Sequence, residues 1–165
     1  MVHRILSHQQ ILHKINRIAY QIYESNVDEE EIVLAGIEGG GIEFARKIKR
    51  ALEKICPADI QLCKIIMDKA NPLDSGVSTS LKPEAFEGKS VVVVDDVLKS
   101  GTTLIYAVHH FLNHPIKLLK TAVLIDRNYK RFPIKADFKG LSLSTSMEEH
   151  VQVDFSPKDY GVYLD

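Results

Sequence analysis

Two adjacent carboxylates, Asp95 and Asp96, follow a run of four valines, Val91 to Val94, and precede Lys99-Ser100-Gly101-Thr102-Thr103. The chemistry open to this order is the binding of a sugar and its phosphate. A β-branched run suits a strand buried on both faces of a parallel sheet, which needs apolar side chains in both directions. In an open α/β sheet the ligand crevice lies beyond the carboxyl ends of the strands, so Asp95 and Asp96 there can bind ribose hydroxyls and face a hydrated cation. Behind them, amides at a helix start, the freedom of Gly101 and the hydroxyls of Ser100, Thr102 and Thr103 suit a phosphate dianion. The bland alternative is a buried strand and a helix whose acids are only N-terminal charges. A second candidate anion site is the turn Glu38-Gly39-Gly40-Gly41, where glycines let backbone amides approach a ligand. The alternative for that turn, taken alone, is a tight strand-to-helix connection that binds nothing.

These residues need a scaffold, and hydrophobic periodicity supplies one. Ser7 with Gln10 offers a capping box, after which Ile11, Leu12, Ile15, Ile18, Ala19, Ile22 and Tyr23 recur at helical spacing to about Asn26. That apolar stripe serves the core or a subunit contact. Glu31 to Ile37 predicts a strand, and Ile42, Phe44, Ala45, Ile48, Ala51, Leu52 and Ile55 predict the helix after the glycine turn. A further strand is expected over Ile60 to Met67. Asp68 to Lys82 is rich in Asn, Pro, Asp, Gly, Ser and Thr and reads as a long mobile loop without structure, placed to act as a lid. Gly88 marks the turn into the valine strand, and Leu104, Ala107, Val108, Phe111 and Leu112 line the helix beyond it. Leu118 to Ile125 gives another strand, closing at Asp126-Arg127, and strands alternating with helices predict a doubly wound, mainly parallel α/β sheet. From Asp126 onward, short polar and aromatic pieces read as short strands and loops folded over the sheet's edge, with 140–149 as loop.

Composition bounds the function. With 165 residues, 45% hydrophobic and 26% charged, the chain has material for one sizeable core and is expected to be a single soluble domain. A formal net charge of −1 argues against coating nucleic acid by bulk electrostatics, so any RNA contact must be regional. No apolar run is long enough for a membrane span and no signal-peptide pattern follows Met1, so the expected location is the cytoplasm. Cys56 and Cys63 fit neither a redox nor a zinc-ligand spacing and read as reduced structural residues.

The succession of apolar strand, two acids, two apolar residues, one variable residue and Ser-Gly-Thr-Thr resembles the phosphoribosyl diphosphate (PRPP) signature of the type I phosphoribosyltransferases. Three further blocks, Ile15 to Tyr20, Val33 to Ile48 and Ala122 to Ala136 (AVLIDRNYKRFPIKA), resemble the bacterial bifunctional pyrimidine operon attenuator and uracil phosphoribosyltransferase family over most of the chain. The resemblance implies the type I phosphoribosyltransferase fold, with a lid at about 68–82 and a small hood of short strands and loops at about 126–165 together with the N-terminal segment. It implies that Asp95 and Asp96 hold the ribose hydroxyls and stabilise positive charge on the sugar, with Mg2+ met indirectly through substrate and water. It also implies that Lys99, Ser100, Gly101, Thr102 and Thr103 hold the 5′-phosphate, and that Glu38, Gly39, Gly40 and Gly41 meet the pyrophosphate.

Relatives commonly carry Lys or Arg in that turn, whereas this chain has Glu38 and glycines, leaving pyrophosphate to amides and metal. Asp126, Arg127, Phe132 and Ile134 are implied at the base and hood, with Arg127 able to reach a phosphate or the base, or else tied in a strand-terminal ion pair. Lys99 replaces the Asp that purine-salvage relatives often place before the Ser/Thr-Gly, which turns the resemblance away from hypoxanthine and guanine. The implied reaction is transfer of phosphoribosyl from PRPP to uracil, giving UMP and pyrophosphate. The alternatives are another base, purine included, or a nucleotide-responsive RNA-binding attenuator with weak or no turnover. RNA contacts would come from Arg17, Lys130, Arg131 and Lys135, and a homodimer or higher homo-oligomer is implied.

Overall fold

The computed structural model describes residues 1–165. In chain order the elements are β1 (His3–Leu6), α1 (His8–Ser25), β2 (Glu31–Ile37), α2 (Gly40–Glu53), β3 (Asp59–Ile66), α3 (Pro72–Ser75), β4 (Ser78–Thr79), a 3-10 turn (Pro83–Ala85), β5 (Ser90–Leu98), α4 (Thr102–Leu112), β6 (Leu118–Asp126), β7 (Phe138–Ser142), β8 (Val151–Asp154) and β9 (Gly161–Leu164). The main sheet runs β4-β3-β2-β5-β6-β7, parallel throughout except for the short β4 edge. From β2 the chain first adds β3 on one side, then returns through β5 to build the other side. The crevice between β2 and β5 is therefore the topological switch point, where the carboxyl ends of two strands diverge from neighbouring loops.

The valine run shows why β5 is central. Val92 and Val94 join the core formed with α1, α2 and the small sheet, while Val91 and Val93 join the opposite core beneath α4 and Phe86. All four are fully buried, as period-two alternation in a two-sided sheet requires. The α1 stripe of Ile11, Ile15, Ile18 and Ile22 is likewise spent within this chain's core, so the stripe's core role holds. The capping box is present: Ser7 N donates to Gln10 Oε1 at 2.9 Å and Gln10 N to Ser7 Oγ at 3.3 Å. At the other end of α1, buried Asn26 donates to Ile22 O and accepts from Ser90 Oγ, tying the helix to the start of β5.

Two expectations change. The 68–82 segment is not without structure: it carries α3, and β4 pairs antiparallel with the end of β3. Pro72 supplies the helix start and Ser80 Oγ accepts from Lys64 N at 2.8 Å, which anchors the returning chain on β3. The Phe138–Gly140 piece belongs to β7, the parallel edge strand of the main sheet beside β6, so the loop of the following segment begins only after Ser142. The hood is an antiparallel sheet, β1-β9-β8, that joins the two ends of the chain through pairs such as His3 with Leu164. Val162 of β9 is buried and joins the core formed with α1 and α2.

Candidate active site

The carboxyl ends of β2 and β5 lie so close that side chains would not fit between them. A Cβ on Gly41 would stand 2.8 Å from Val94 O and 3.0 Å from Asp95 Oδ1, and one on Gly40 would fall on the Asp96 carboxylate. Beneath them, Gly36 lets β2 pass α2, because a Cβ there would lie 2.6 Å from the Cα of Ile42. The glycines thus bring the N-terminus of α2 against the acid pair, with the backbone turned at Gly39 (φ 95°).

Asp95 is 6% exposed and Asp96 half-buried. Asp95 Oδ1 accepts from Asp96 N at 2.9 Å, and Asp96 Oδ1 accepts from Val97 N at 2.8 Å, so each carboxylate is oriented by the next amide along the strand. Burial, followed by the neighbouring Asp96 charge, holds the Asp95 carboxyl well above its ordinary range, and the positive charge of Lys69 opposes that rise. A buried acid in this condition is poised to ionise when positive charge enters the cleft. The residues fit a magnesium ion of one kind only. No set of three metal-ligating side chains converges anywhere, but two adjacent carboxylates suit an ion that takes most of its ligands from substrate and water.

Beyond the pair, Asp95, Val97, Leu98, Lys99, Ser100, Gly101, Thr103 and Leu104 line a cleft of about 120 Å³. Gly101 caps α4 in the left-handed conformation (φ 86°, ψ −6°), and Ser100 Oγ lies 2.9 Å from Thr102 Oγ1 and accepts from Thr102 N at 3.3 Å. Hydroxyls and helix-start amides therefore converge as an anion cradle needs. The cradle is clamped from outside, since Ser100 O accepts from Arg131 N at 2.8 Å and from Phe132 N at 3.2 Å. Ile134 closes over Gly101, its Cγ2 standing 2.5 Å from where a Cβ would be. Phe132 and Ile134 are half-buried against the Ser100–Gly101 turn, and Lys99 is exposed.

The remaining expected residues divide between the mouth and the frame. Glu38 is exposed and paired with Lys64 of β3 at 3.1 Å. Asp126, 1% exposed at the end of β6, accepts from Asn128 N at 3.0 Å and faces Lys130 at 3.4 Å and Lys139 at 3.7 Å. Arg127 corrects the expectation of a phosphate or base contact, and equally that of an ion pair with its neighbour. It is 2% exposed and donates from Nε to Thr145 Oγ1 at 2.8 Å and from Nη2 to Ser146 O at 3.0 Å and Glu149 O at 2.8 Å. Its guanidinium satisfies the backbone of the 145–149 loop.

Arg127→Ala should therefore cost about 1–3 kcal/mol of stability by emptying a buried site and releasing the half-buried and exposed loop groups it holds. Limited proteolysis within 143–150 should accelerate, with the affinity for PRPP changed less than threefold; a PRPP-specific loss in a stable protein would restore Arg127 to the mouth. Arg17 is also engaged internally, donating to Lys139 O at 2.8 Å and Gly140 O at 2.7 Å, whereas Arg131 and Lys135 are exposed.

Periodicity and motif missed one residue. Lys69 stands in the polar stretch after β3, yet its Nζ comes to 3.8 Å from the place of a Cβ on Gly39. Nothing local marks it, because its neighbour across the cleft lies thirty residues away in the chain.

A parallel sheet with paired acids and an anion cradle at its switch point defines a sugar-phosphate transferase, and sequence comparison agrees. The family model for the phosphoribosyl transferase domain matches residues 1–158, and the chain belongs to that family, the type I phosphoribosyltransferases. Among curated relatives, "Bifunctional protein PyrR" of Streptococcus thermophilus strain CNRZ 1066 is 35% identical over 142 residues, covering 84% of this chain and 82% of the relative. The protein of the same name from Streptococcus sanguinis strain SK36 is 31% identical over 151 residues, covering 88% and 86%. Among solved structures, a hypoxanthine-guanine phosphoribosyltransferase from Bacillus anthracis has a TM-score of 0.72 at 26% identity, covering 85% of this chain and 81% of its own. The hypoxanthine phosphoribosyltransferase of Trypanosoma cruzi has a TM-score of 0.76 at 21% identity, covering 96% and 94%, and supports the fold alone.

Proposed function

We propose that residues 1–165 form a single magnesium-dependent phosphoribosyltransferase domain that converts PRPP and uracil to UMP and pyrophosphate in the cytoplasm, working as a homo-oligomer. The observation that carries the reaction is the joining of Asp95 and Asp96 to the Ser100–Thr103 cradle within one cleft at the end of β5. The cradle fixes the 5′-phosphate, and the acids accept from the 2′- and 3′-hydroxyls, so the ribose lies with C1 toward the β2 turn. As the bond from C1 to the pyrophosphate oxygen breaks, the sugar gains positive charge, which the two carboxylates stabilise. The base nitrogen bonds to C1, its proton passes to solvent, and pyrophosphate leaves with the electron pair. Magnesium, when bound, neutralises the leaving pyrophosphate.

Uracil is favoured over a purine by the PyrR relatives and by Lys99, which cannot act as a neutral-pH acid at the base. Turnover measured on uracil, xanthine, guanine, hypoxanthine, adenine and orotate with PRPP and Mg2+ tests the assignment. UMP formation is expected, with each purine at least about tenfold slower. Turnover of a purine alone would overturn uracil as the acceptor, and binding of PRPP and UMP without any turnover would favour a nucleotide-responsive regulator.

A further inference from the structure

The pyrophosphate half of the cleft carries acids where a cation is needed. Its glycine turn has one charged side chain, Glu38, and that carboxylate is already paired with Lys64. Opposite stand Asp95 and Asp96. A leaving group with several negative charges cannot settle between a glycine turn and two carboxylates unless positive charge reaches it. Besides a metal ion, one side chain is placed to supply it. Lys69 lies three residues beyond the end of β3, is exposed, and has no acid within ion-pair distance. Its Nζ is the only group that a Cβ on Gly39 would meet within 4 Å, so it hangs over the open face of the turn. From there its charge is felt by Asp95 across the cleft.

The local chain directs it there. Asp68 Oδ1 accepts from Ala70 N at 3.0 Å and Asp68 O from Asn71 N at 3.2 Å, a turn that folds the backbone back toward the sheet at Lys69. Gly39 and Gly40 leave the space between this ammonium and the acid pair free of side chains.

We propose that Lys69 binds the pyrophosphate of PRPP, so that the cation absent from the β2 turn is delivered instead from the loop that follows the neighbouring strand, β3. This rests on the phosphoribosyltransferase reading of the site. The Glu38–Lys64 pair completes the arrangement by neutralising the one acid on the turn.

The test is equilibrium binding of PRPP, inorganic pyrophosphate and UMP, each with Mg2+, to the full chain and to its Lys69→Ala and Lys69→Arg variants. UMP fills the ribose and 5′-phosphate sites but has no pyrophosphate, so it reports the rest of the cleft. Lys69→Ala should weaken PRPP and pyrophosphate by about tenfold or more, the scale of one lost charge-assisted contact, and leave UMP within about twofold. Lys69→Arg should recover most of the loss, and in turnover Lys69→Ala should raise the KM for PRPP far more than the KM for uracil.

Unchanged pyrophosphate affinity in Lys69→Ala, or an equal loss for UMP, overturns the proposal. If the wild-type chain binds PRPP and pyrophosphate with the expected Lys69 dependence but makes no nucleotide, Lys69 stands and the transferase reading fails. If the wild-type chain binds neither, both fail.

Discussion

Asp95→Asn should raise the thermal midpoint of the ligand-free protein at neutral pH while lowering phosphoribosyl transfer by about 100-fold or more. Asp95 is buried beside a second acid, and its carboxyl is held well above its ordinary range by that burial and then by Asp96. The sign of the pH effect follows from proton counting. Below the ordinary carboxylate range both folded and unfolded chains hold the proton, and the group costs nothing. Between that range and the raised folded value only the folded chain keeps it, so stability falls as pH rises; above the folded value the full penalty is in place.

Asn keeps the oxygen that accepts from Asp96 N but never acquires the charge. The variant's advantage should thus be negligible near pH 4 and grow as pH rises through the folded pKa, read as a higher thermal midpoint at neutral pH. Thermal unfolding at stepped pH, paired with pyrophosphate-release assays, checks both halves. A midpoint below wild type at every pH would show that Asp95 is structural, and undiminished release would remove it from the reaction. In the proposed reaction, the charge that weakens the empty protein is the one that stabilises the developing sugar cation, which would place a cost in stability at the site of function.

What the sequence made legible was whatever depends on near neighbours. The valine run, the acid pair and the Ser-Gly-Thr-Thr turn are consecutive, and their order alone carries a strand, a crevice and an anion cradle. The Ser7 and Gln10 cap is equally local. The features that escaped are pairings between distant residues. β1 and β9 are four residues each and pair where the chain's two ends meet; the family resemblance placed the N-terminal segment with the hood, but no window around His3 or Leu164 encodes the pairing itself. Phe138–Ser142 lacks a clean alternation because Gly140 must pass the Leu124 carbonyl, where a Cβ would come within 2.5 Å, so its membership of the sheet appears only beside β6. Arg127 looked like a binding residue because an exposed-type side chain followed a strand end. Its partners, eighteen to twenty-two positions further on, turn it inward. Glu38 and Lys69 make the same point at the site itself: the charge on the turn could be judged only once β3 lay beside it.

Gly40→Ala and Gly36→Ala add the same methyl group to the same strand-to-helix connection, and the structure requires opposite outcomes. At Gly36 the new Cβ would meet backbone on every side: the Cα of Ile42 at 2.6 Å and, at 2.9 Å each, the oxygen of Gly41 and the nitrogen of Ile42. None of these can retreat without separating α2 from β2, so the variant should lose about 3 kcal/mol or more and unfold early in urea. Gly40, by contrast, is the first residue of α2 and needs no positive φ, so Ala suits its backbone and recovers up to about 1 kcal/mol of helix propensity. What its methyl displaces is the Asp96 carboxylate, a side chain that can swing away only by giving up the 2.8 Å bond from Val97 N. Folding should survive and the cleft should not. Gly40→Ala is expected to unfold within about 1 kcal/mol of wild type and to lose about 100-fold in kcat/KM for PRPP, the scale of a catalytic group misplaced by an ångström. Urea midpoints and steady-state kinetics on the two variants separate the roles. Wild-type turnover in Gly40→Ala would mean that Asp96 can leave its place without consequence, and the two-carboxylate reading of the cleft would fall with it.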